Sequence, residues 1–444
     1  VILDEMLEKM ALYGQREAMI TDGESLSYES ILEQYRLWTA ILRDLGIRSG
    51  EVVMLEGDYS PAASGALLAL LANGNVAIPL SPQAGHKREQ FMSIAQANKY
   101  IAVTGTGYRM ADRGPVEHPE LLKDFLSAGG TGFILFTSGT TGVPKAILHD
   151  LSRFIGRYRS PRPALRTISF LLFDHIGGIN TWFHTLFNGG TIICPSGRMP
   201  EEICALIERH RVELLPASPS FLNLLLMTGA DQAYDLSSLK MITYGTEVMS
   251  DSTLERLHDR FPQVELRQTY GLSEMGILRA KSVHSGSAWL KIGGEGVETR
   301  IVNDVLHIRS QTAMIGYLNA PNPFDEEGWF NTQDVVLQDG EHIRIVGRKS
   351  EIINVGGRKV YPLEVEGVLL QMPEIRDVTV KGEANPLLGQ VVTASVNVNV
   401  PLDARELKRR LTEFCRGKLE DFQIPVKVAV LEGELFSERY KKTR

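Results

Sequence analysis

Apolar strand patterns alternate with amphipathic helical ones along most of this chain, and nothing else in the sequence limits its fold as strongly. Ser27 stands where a helix N-cap would. Ile31, Tyr35, Trp38, Leu42 and Leu45 then recur at three- and four-residue spacing up to Gly46, which predicts a helix with one buried face. VVML (52–55) reads as a short strand, 61–72 as a helix of small and apolar residues, and NVAIPL (75–80) as another strand. The rhythm returns with ISFLLF (168–173) as strand, a helix through Trp182 and Leu186, and TIICP (191–195) as strand. EEICALIERH follows as helix, VELLPAS as strand, 219–228 as a leucine-rich helix and MITYG (241–245) as strand. Strand, helix, strand repeated in this way implies parallel sheets covered by helices on both faces.

From about residue 285 the pattern shortens, and TRIVNDVLHIRS and HIRIVGR predict a local antiparallel sheet. Beyond Arg348 comes a compact unit: EVEGVLLQM as helix, VVTASVNVNV as strand, RELKRRLTEFCRGKL as a basic amphipathic helix and VKVAVLE as strand. The expected class is α/β: a large N-terminal domain (1–346) of helix-covered, mainly parallel sheets with a small antiparallel β region, a boundary at 347–350, and a small α+β domain (351–444). No internal repeat, low-complexity tract or heptad pattern interrupts this plan.

Charge narrows the class of partner. Against 54 Asp+Glu there are 47 Lys+Arg, a formal charge of −7, which offers nucleic acid or an anionic membrane no electrostatic reason to bind. The best apolar run, 66–72, stops at Asn73-Gly74-Asn75, well short of the ~20 residues that span a bilayer. The opening VILDEMLEKM lacks the basic-then-apolar form of a signal peptide. Cys194, Cys204 and Cys415 are too few and too far apart for a disulfide framework or a CxxC metal site, so reduced thiols and a cytoplasmic location are expected.

The strongest chemical signal is FILFTSGTTGVPKAILH (133–149). An apolar strand enters a loop of Thr137, Ser138, Gly139, Thr140, Thr141 and Gly142, and Lys145 follows Pro144. Glycines let backbone N–H groups turn toward an anion, hydroxyls add donors, and the lysine supplies a point charge, so the loop has the chemistry of a phosphate cradle. Its spacing is not that of GxxxxGK[ST], which has no match here.

That string resembles the signature of the adenylate-forming superfamily: acyl- and aryl-CoA synthetases, peptide-synthetase adenylation domains and luciferases. YGLSE (270–274) resembles the family's YGxTE, FNTQDVV (330–336) its TGD segment, GRKSEIINVGGRKVYPLEVE (347–366) its hinge and the opening of its C-terminal domain, and the final ERYKKTR its terminal GKxxR. The matches run in the family's order from about residue 133 to 444; the first third agrees in layout only.

What the resemblance implies can be carried over residue by residue. In Tyr270-Gly271-Leu272-Ser273-Glu274 the aromatic stacks on adenine and the glutamate ligates Mg²⁺ on the phosphates of ATP. Gly245-Thr246-Glu247 lines the adenine and substrate pockets. Asp334, assisted by Arg348, accepts the ribose hydroxyls, which a carboxylate suits because it has two acceptor oxygens and no competing donor. Lys441 bridges the substrate carboxylate and the α-phosphate, stabilising charge as it develops. Rotation at Ser350 swings a mobile C-terminal domain carrying that lysine, and Gly356-Gly357 meets the incoming pantetheine arm; read locally, the pair is a glycine turn ahead of a strand at Val360. Gln333, Ser350 and Tyr440 depart from the family's usual residues, and Lys442 is an adjacent competitor for the lysine role.

For the acid, LLFDHIGGI (171–179) leads into the pocket in relatives and can be aligned two ways. His175 and Gly178 match the HxxG of acyl- and aryl-CoA ligases; Phe173-Asp174 matches the FDxS of amino-acid adenylation domains, although Ile176 breaks that pattern. The pair Asp174–His175 also reads as a structural hydrogen bond. The expected activity is ATP- and Mg²⁺-dependent conversion of a small carboxylic acid to an acyl-adenylate with release of pyrophosphate, then transfer to a thiol, most simply coenzyme A. The alternatives are loading of a carrier-protein phosphopantetheine, and a nucleotide-binding regulator that has lost turnover.

Overall fold

The computed structural model describes residues 2–105, 107–137, 143–399 and 403–431. Its helices begin where the local chemistry allows. Ser27 caps Tyr28–Asp44 by accepting the Ser30 N–H at 3.1 Å, and Ser60 caps Pro61–Ala72 through the Ala63 N–H, with proline in the first turn. Residues 63–71 of the second helix are buried on every side, as a helix wedged between two layers must be. Trp182, itself fully buried, donates its indole N–H to Ser64 Oγ at 3.0 Å and ties that helix to Ile176–Phe187.

Two seven-stranded sheets form the bulk of the molecule. One runs Glu265–Gln268, Met241–Tyr244, Leu214–Ala217, Arg166–Ile168, Thr191–Ile193, Glu17–Thr21, Glu24–Ser27, parallel until its final antiparallel pair. The other runs Gly316–Tyr317, Lys145–Asp150, Gly132–Thr137, Val76–Leu80, Val52–Glu56, Lys99–Thr104, Gly107–Asp112, with a parallel centre and antiparallel edges. A six-stranded antiparallel sheet follows between Ala280 and Arg348. From Ile353 the chain builds a further, five-stranded sheet with helices Pro362–Leu369 and Ala404–Cys415 and an apolar cluster of its own. The α/β class is as expected, with mainly parallel sheets in the larger part.

Two local expectations are corrected, and one strand that the sequence analysis passed over appears. Only Arg166–Ile168 of the ISFLLF region is strand; after the Ser169 N–H bonds to the Ile193 carbonyl, the sheet has no further neighbour and 169–173 peel into the core. An apolar run is equally consistent with either fate. The basic helix stops at Cys415, where Arg416 turns to an extended conformation. Ile375–Asn385, which carries too many charges to look like a strand, pairs along its length with Gly389–Val398. The three cysteines are free, and among the described residues no helix is long and apolar enough to cross a membrane.

Candidate active site

The carboxyl ends of parallel strands are where a doubly wound sheet leaves a crevice, and here three of them coincide. Ala217, Tyr244 and Gln268 sit in register at the ends of adjacent strands, and the residues that follow line a cavity of about 520 Å³. Thr137 and Lys145 form a second wall and Asp334 and Arg348 a third. Leu363, Glu366 and Leu370, from the helix Pro362–Leu369 region, close it from the C-terminal unit.

Gly245 leaves the strand end where nothing larger fits: a Cβ there would lie 2.4 Å from Thr269 Oγ1 and 2.9 Å from the Thr269 carbonyl. Thr246 is left-handed at φ 72°, a strained conformation for a β-branched residue and one that clusters at functional sites. Glu247 turns back to helix Pro219–Thr228, where Oε2 accepts from the Ser220 hydroxyl (2.7 Å) and N–H (3.2 Å), a carboxylate at a helix N-terminus.

Tyr270 and Asp334 are both buried, and the phenol donates to Asp334 Oδ2 at 2.6 Å. Arg348, cross-strand from Asp334, brings Nε to 3.4 Å from Oδ1. Burial raises the Asp334 pKa above the usual carboxylate range, with Arg348 and the Tyr270 hydroxyl working against it. The turn before it holds Gln333 at φ 62°, a left-handed conformation in which a glycine would sit without strain, and Asn331 Oδ1 accepts its N–H at 2.9 Å.

Glu274 also lines the cavity, and its Oε1 accepts from the Tyr317 hydroxyl at 2.7 Å. Among the described residues no group of three or more His, Cys, Asp or Glu side chains could hold a metal ion. A cation here would rest on this one carboxylate and on phosphate oxygens, which is how Mg²⁺ is commonly held, so the donor set fits. Ser273 lends its carbonyl to His149 Nε2 at 2.8 Å. Burial drives that imidazole's pKa down to about 4, so the ring is neutral and Nε2 is the donor.

Of the four residues expected around the acid, the cavity lining includes His175, with Leu171, Ile176 and Gly177 beside it. His175 caps its helix by accepting the Gly177 N–H on Nδ1. Phe173, Asp174 and Gly178 are not in that lining. Phe173 packs between Tyr59 and Trp182. Asp174 Oδ2 accepts from the Ser81 hydroxyl (2.8 Å) and N–H (3.2 Å) in the core. Gly178 is forced by contact, since a Cβ would stand 1.9 Å from the Leu172 carbonyl oxygen.

Ser350 is exposed within the short turn Lys349–Glu351. Gly356 and Gly357 form the turn between Ile353–Val355 and Arg358–Val360, outside the cavity lining. Ser138, Gly139, Thr140, Thr141, Gly142, Tyr440, Lys441 and Lys442 lie outside the described residues. Sequence reasoning gave no role to His149, Tyr317 or Asn319, although the structure sets all three against the motif residues. His149 stood at the end of the quoted loop string, and no motif pointed to the other two.

Comparisons with known proteins bear on the family and the fold. The model of the AMP-binding enzyme family matches residues 123–318, and that of the AMP-binding enzyme C-terminal domain matches 364–442. The chain is 30% identical over 337 residues to an indoleacetate–CoA ligase of Aromatoleum aromaticum, covering 67% of this chain and 63% of that protein. It is 23% identical over 454 residues to a 2-succinylbenzoate–CoA ligase of Listeria monocytogenes, covering 96% and 94%. Its fold matches that of the anthranilate CoA ligase AuaEII, crystallised with anthranoyl-AMP, at a TM-score of 0.84 and 17% identity over 99% of this chain and 95% of the other.

Proposed function

The chain belongs to the AMP-binding enzymes of the adenylate-forming superfamily, and from that premise we propose that it converts an apolar, most simply aromatic, carboxylic acid to its coenzyme A thioester at the expense of ATP. In the first half-reaction a carboxylate oxygen attacks the α-phosphorus of ATP and pyrophosphate leaves. In the second, a thiol attacks the acyl carbonyl, AMP leaves with the former carboxylate oxygen, and the thiol proton goes to solvent. Dividing the reaction this way replaces a poor leaving group with a good one.

The observation that carries the reading is a single cavity bordered by Thr137, Lys145, the 245–247 turn, Tyr270 to Glu274, Asp334 and Arg348. Asp334 is assigned the ribose hydroxyls, its orientation fixed by Tyr270 and Arg348. Tyr270 is assigned the adenine, and Lys145, which lines the same cavity, is assigned the phosphates together with residues 138–142. Bound Mg²⁺ would neutralise phosphate charge, with Glu274 its protein ligand. Lys441 is assigned the bridge between carboxylate and α-phosphate, Ser350 the hinge between 1–346 and 351–444, and Gly356-Gly357 the thiol channel. Three free thiols suit a reducing compartment such as the cytoplasm.

The acid would lie against Leu171, Ile176, Pro216, Ala217 and Ile277, with His175 at its edge. Asp174, engaged with Ser81, is poorly placed to receive a substrate ammonium, which favours the acyl- and aryl-CoA ligase alignment over the amino-acid one. Carboxylate-dependent pyrophosphate release with MgATP tests this across aryl, aliphatic and amino acids, with coenzyme A or a phosphopantetheinylated carrier protein as acceptor. Release driven by aryl acids and thioester formation with free coenzyme A are expected. Release driven only by amino acids would overturn the pocket assignment, and none with any acid, despite ATP binding, would favour the regulator.

A further inference from the structure

The segment 314–319 touches both charged residues assigned to the phosphates, at backbone and side chain alike. Gly316–Tyr317 pairs antiparallel with the strand Lys145–Asp150, and the Leu318 N–H bonds to the Ala146 carbonyl at 2.9 Å. Asn319 then brackets Lys145: its Nδ2 donates to the Pro144 carbonyl at 2.8 Å, and its Oδ1 accepts the Ala146 N–H at 2.9 Å. Lys145 Nζ stands 4.7 Å from the centroid of the Tyr317 ring, within cation–π range. The hydroxyl of that ring donates to Glu274 Oε1 at 2.7 Å, while the Met314 N–H holds the Glu274 carbonyl at 2.7 Å.

A lysine and a glutamate have long side chains and many rotamers, and each loses entropy when fixed. One rigid ring that contacts both can set their separation before nucleotide arrives, which is the preorganisation a phosphate and cation site needs. Tyr317 is buried and absent from the cavity lining, so it acts through its neighbours. We propose that Tyr317 and Asn319 are positioning residues that hold the Lys145 ammonium and the Glu274 carboxylate in register with the phosphates and cation of MgATP. This rests on the roles given above to Lys145 and Glu274.

The test uses the full chain and calorimetric binding of a non-hydrolysable ATP analogue with and without Mg²⁺, alongside the Mg²⁺ dependence of pyrophosphate release. Tyr317→Phe keeps the ring and removes the hydroxyl. It should lose most of the Mg²⁺-dependent gain in affinity, raising half-saturating Mg²⁺ by roughly tenfold, the scale of one hydrogen bond to a charged group. Its metal-free affinity and KM for the acid should stay as in the wild type. Asn319→Ala should weaken analogue binding with or without Mg²⁺. Should Tyr317→Phe keep the wild-type Mg²⁺ response while Glu274→Gln loses it, the positioning role falls and the metal assignment stands; a Glu274→Gln protein with a normal response overturns both. Uniformly lower kcat with an unchanged Mg²⁺ response would mark Tyr317 as structural only, and unaltered binding by Asn319→Ala would remove that residue from the proposal.

Discussion

Replacing His149 by phenylalanine isolates the cost of keeping an uncharged imidazole behind the nucleotide cavity. The ring is buried, stacked on Phe133 with centroids 5.0 Å apart, and Nε2 donates to the Ser273 carbonyl. Burial lowers its pKa to about 4, aided by Arg157 and opposed by that hydrogen bond. Since the folded value lies below the ordinary 6.5, the neutral ring's contribution is fully present above pH 6.5 and is lost as pH falls toward 4. Linkage between those two values gives a loss of about 2 kcal/mol from pH 7 to pH 5 and about 3 kcal/mol below both. Phenylalanine preserves the stacking but deprives the Ser273 carbonyl of its donor, at a pH-independent cost of about 1–3 kcal/mol. His184, whose pKa burial also lowers to about 4, is common to both proteins and cancels in the difference. Urea unfolding followed by tryptophan fluorescence is the suitable assay, because all four tryptophans (38, 182, 289 and 329) precede the expected boundary and report the part that holds His149. The wild type should be the more stable protein at pH 7, and its advantage should shrink by about 2 kcal/mol by pH 5. Parallel pH profiles would refute the argument.

Gln333→Gly should raise stability in the same assay by about 0.5–1 kcal/mol, the relief of a left-handed φ less glycine's extra unfolded-state entropy, with unchanged pyrophosphate release; a loss of stability would show that the glutamine side chain is needed there. Lys441→Ala should abolish adenylate formation yet leave thiolysis of a supplied acyl-adenylate largely intact, and equal loss of both steps would remove its assigned role. A Cβ on Gly367 would stand 3.5 Å from Ser250 Cβ, close enough for a disulfide. Oxidised S250C/G367C should therefore form adenylate but little thioester until reduced, and equal thioester rates before and after reduction would count against domain rotation.

How much of this could be read from the sequence depended on how local the determining physics is. Helix starts were legible where one residue type decides them, as with the capping serine at Ser27 and the first-turn proline at Pro61. The place of 270–274 at the cavity was legible because its residue types and spacing fall in one stretch of chain. The end of the strand at Ile168 was not, since it depends on a neighbour, Thr191–Ile193, that itself ends. Nor were Tyr317 and Asn319, whose meaning arises only when 316–319 lies beside a strand about 170 residues earlier. Phe173, Asp174 and Gly178 share the converse difficulty. They sit in a motif-like string beside His175, yet which residues reach the cavity is set by how 169–173 packs, and spacing alone does not encode that.

The arrangement also explains why the proposed chemistry needs more than one pose. Helix Pro362–Leu369 borders the cavity with Leu363 and Glu366, where on the proposed chemistry it would shield the first half-reaction from water. The same C-terminal unit carries Gly356 and Gly357 on a turn outside the lining. As a rigid body it could present the glycine turn to the acyl carbonyl only by withdrawing the helix. Among the described residues the contacts to be exchanged include Ser252 Oγ to the Gly367 carbonyl at 3.1 Å, the ion pair of Lys359 with Asp304 at 4.0 Å, and Ile352 and Tyr361 packed on Val305, Val335 and Val346. These contacts are small beside the apolar cluster that the small unit holds for itself, from Ile353 to Cys415, which a rigid-body turn would leave intact. On the proposed roles, a thiol that reaches an adenylate only after such a turn would meet it once pyrophosphate has had a route out, and geometry would order the two half-reactions.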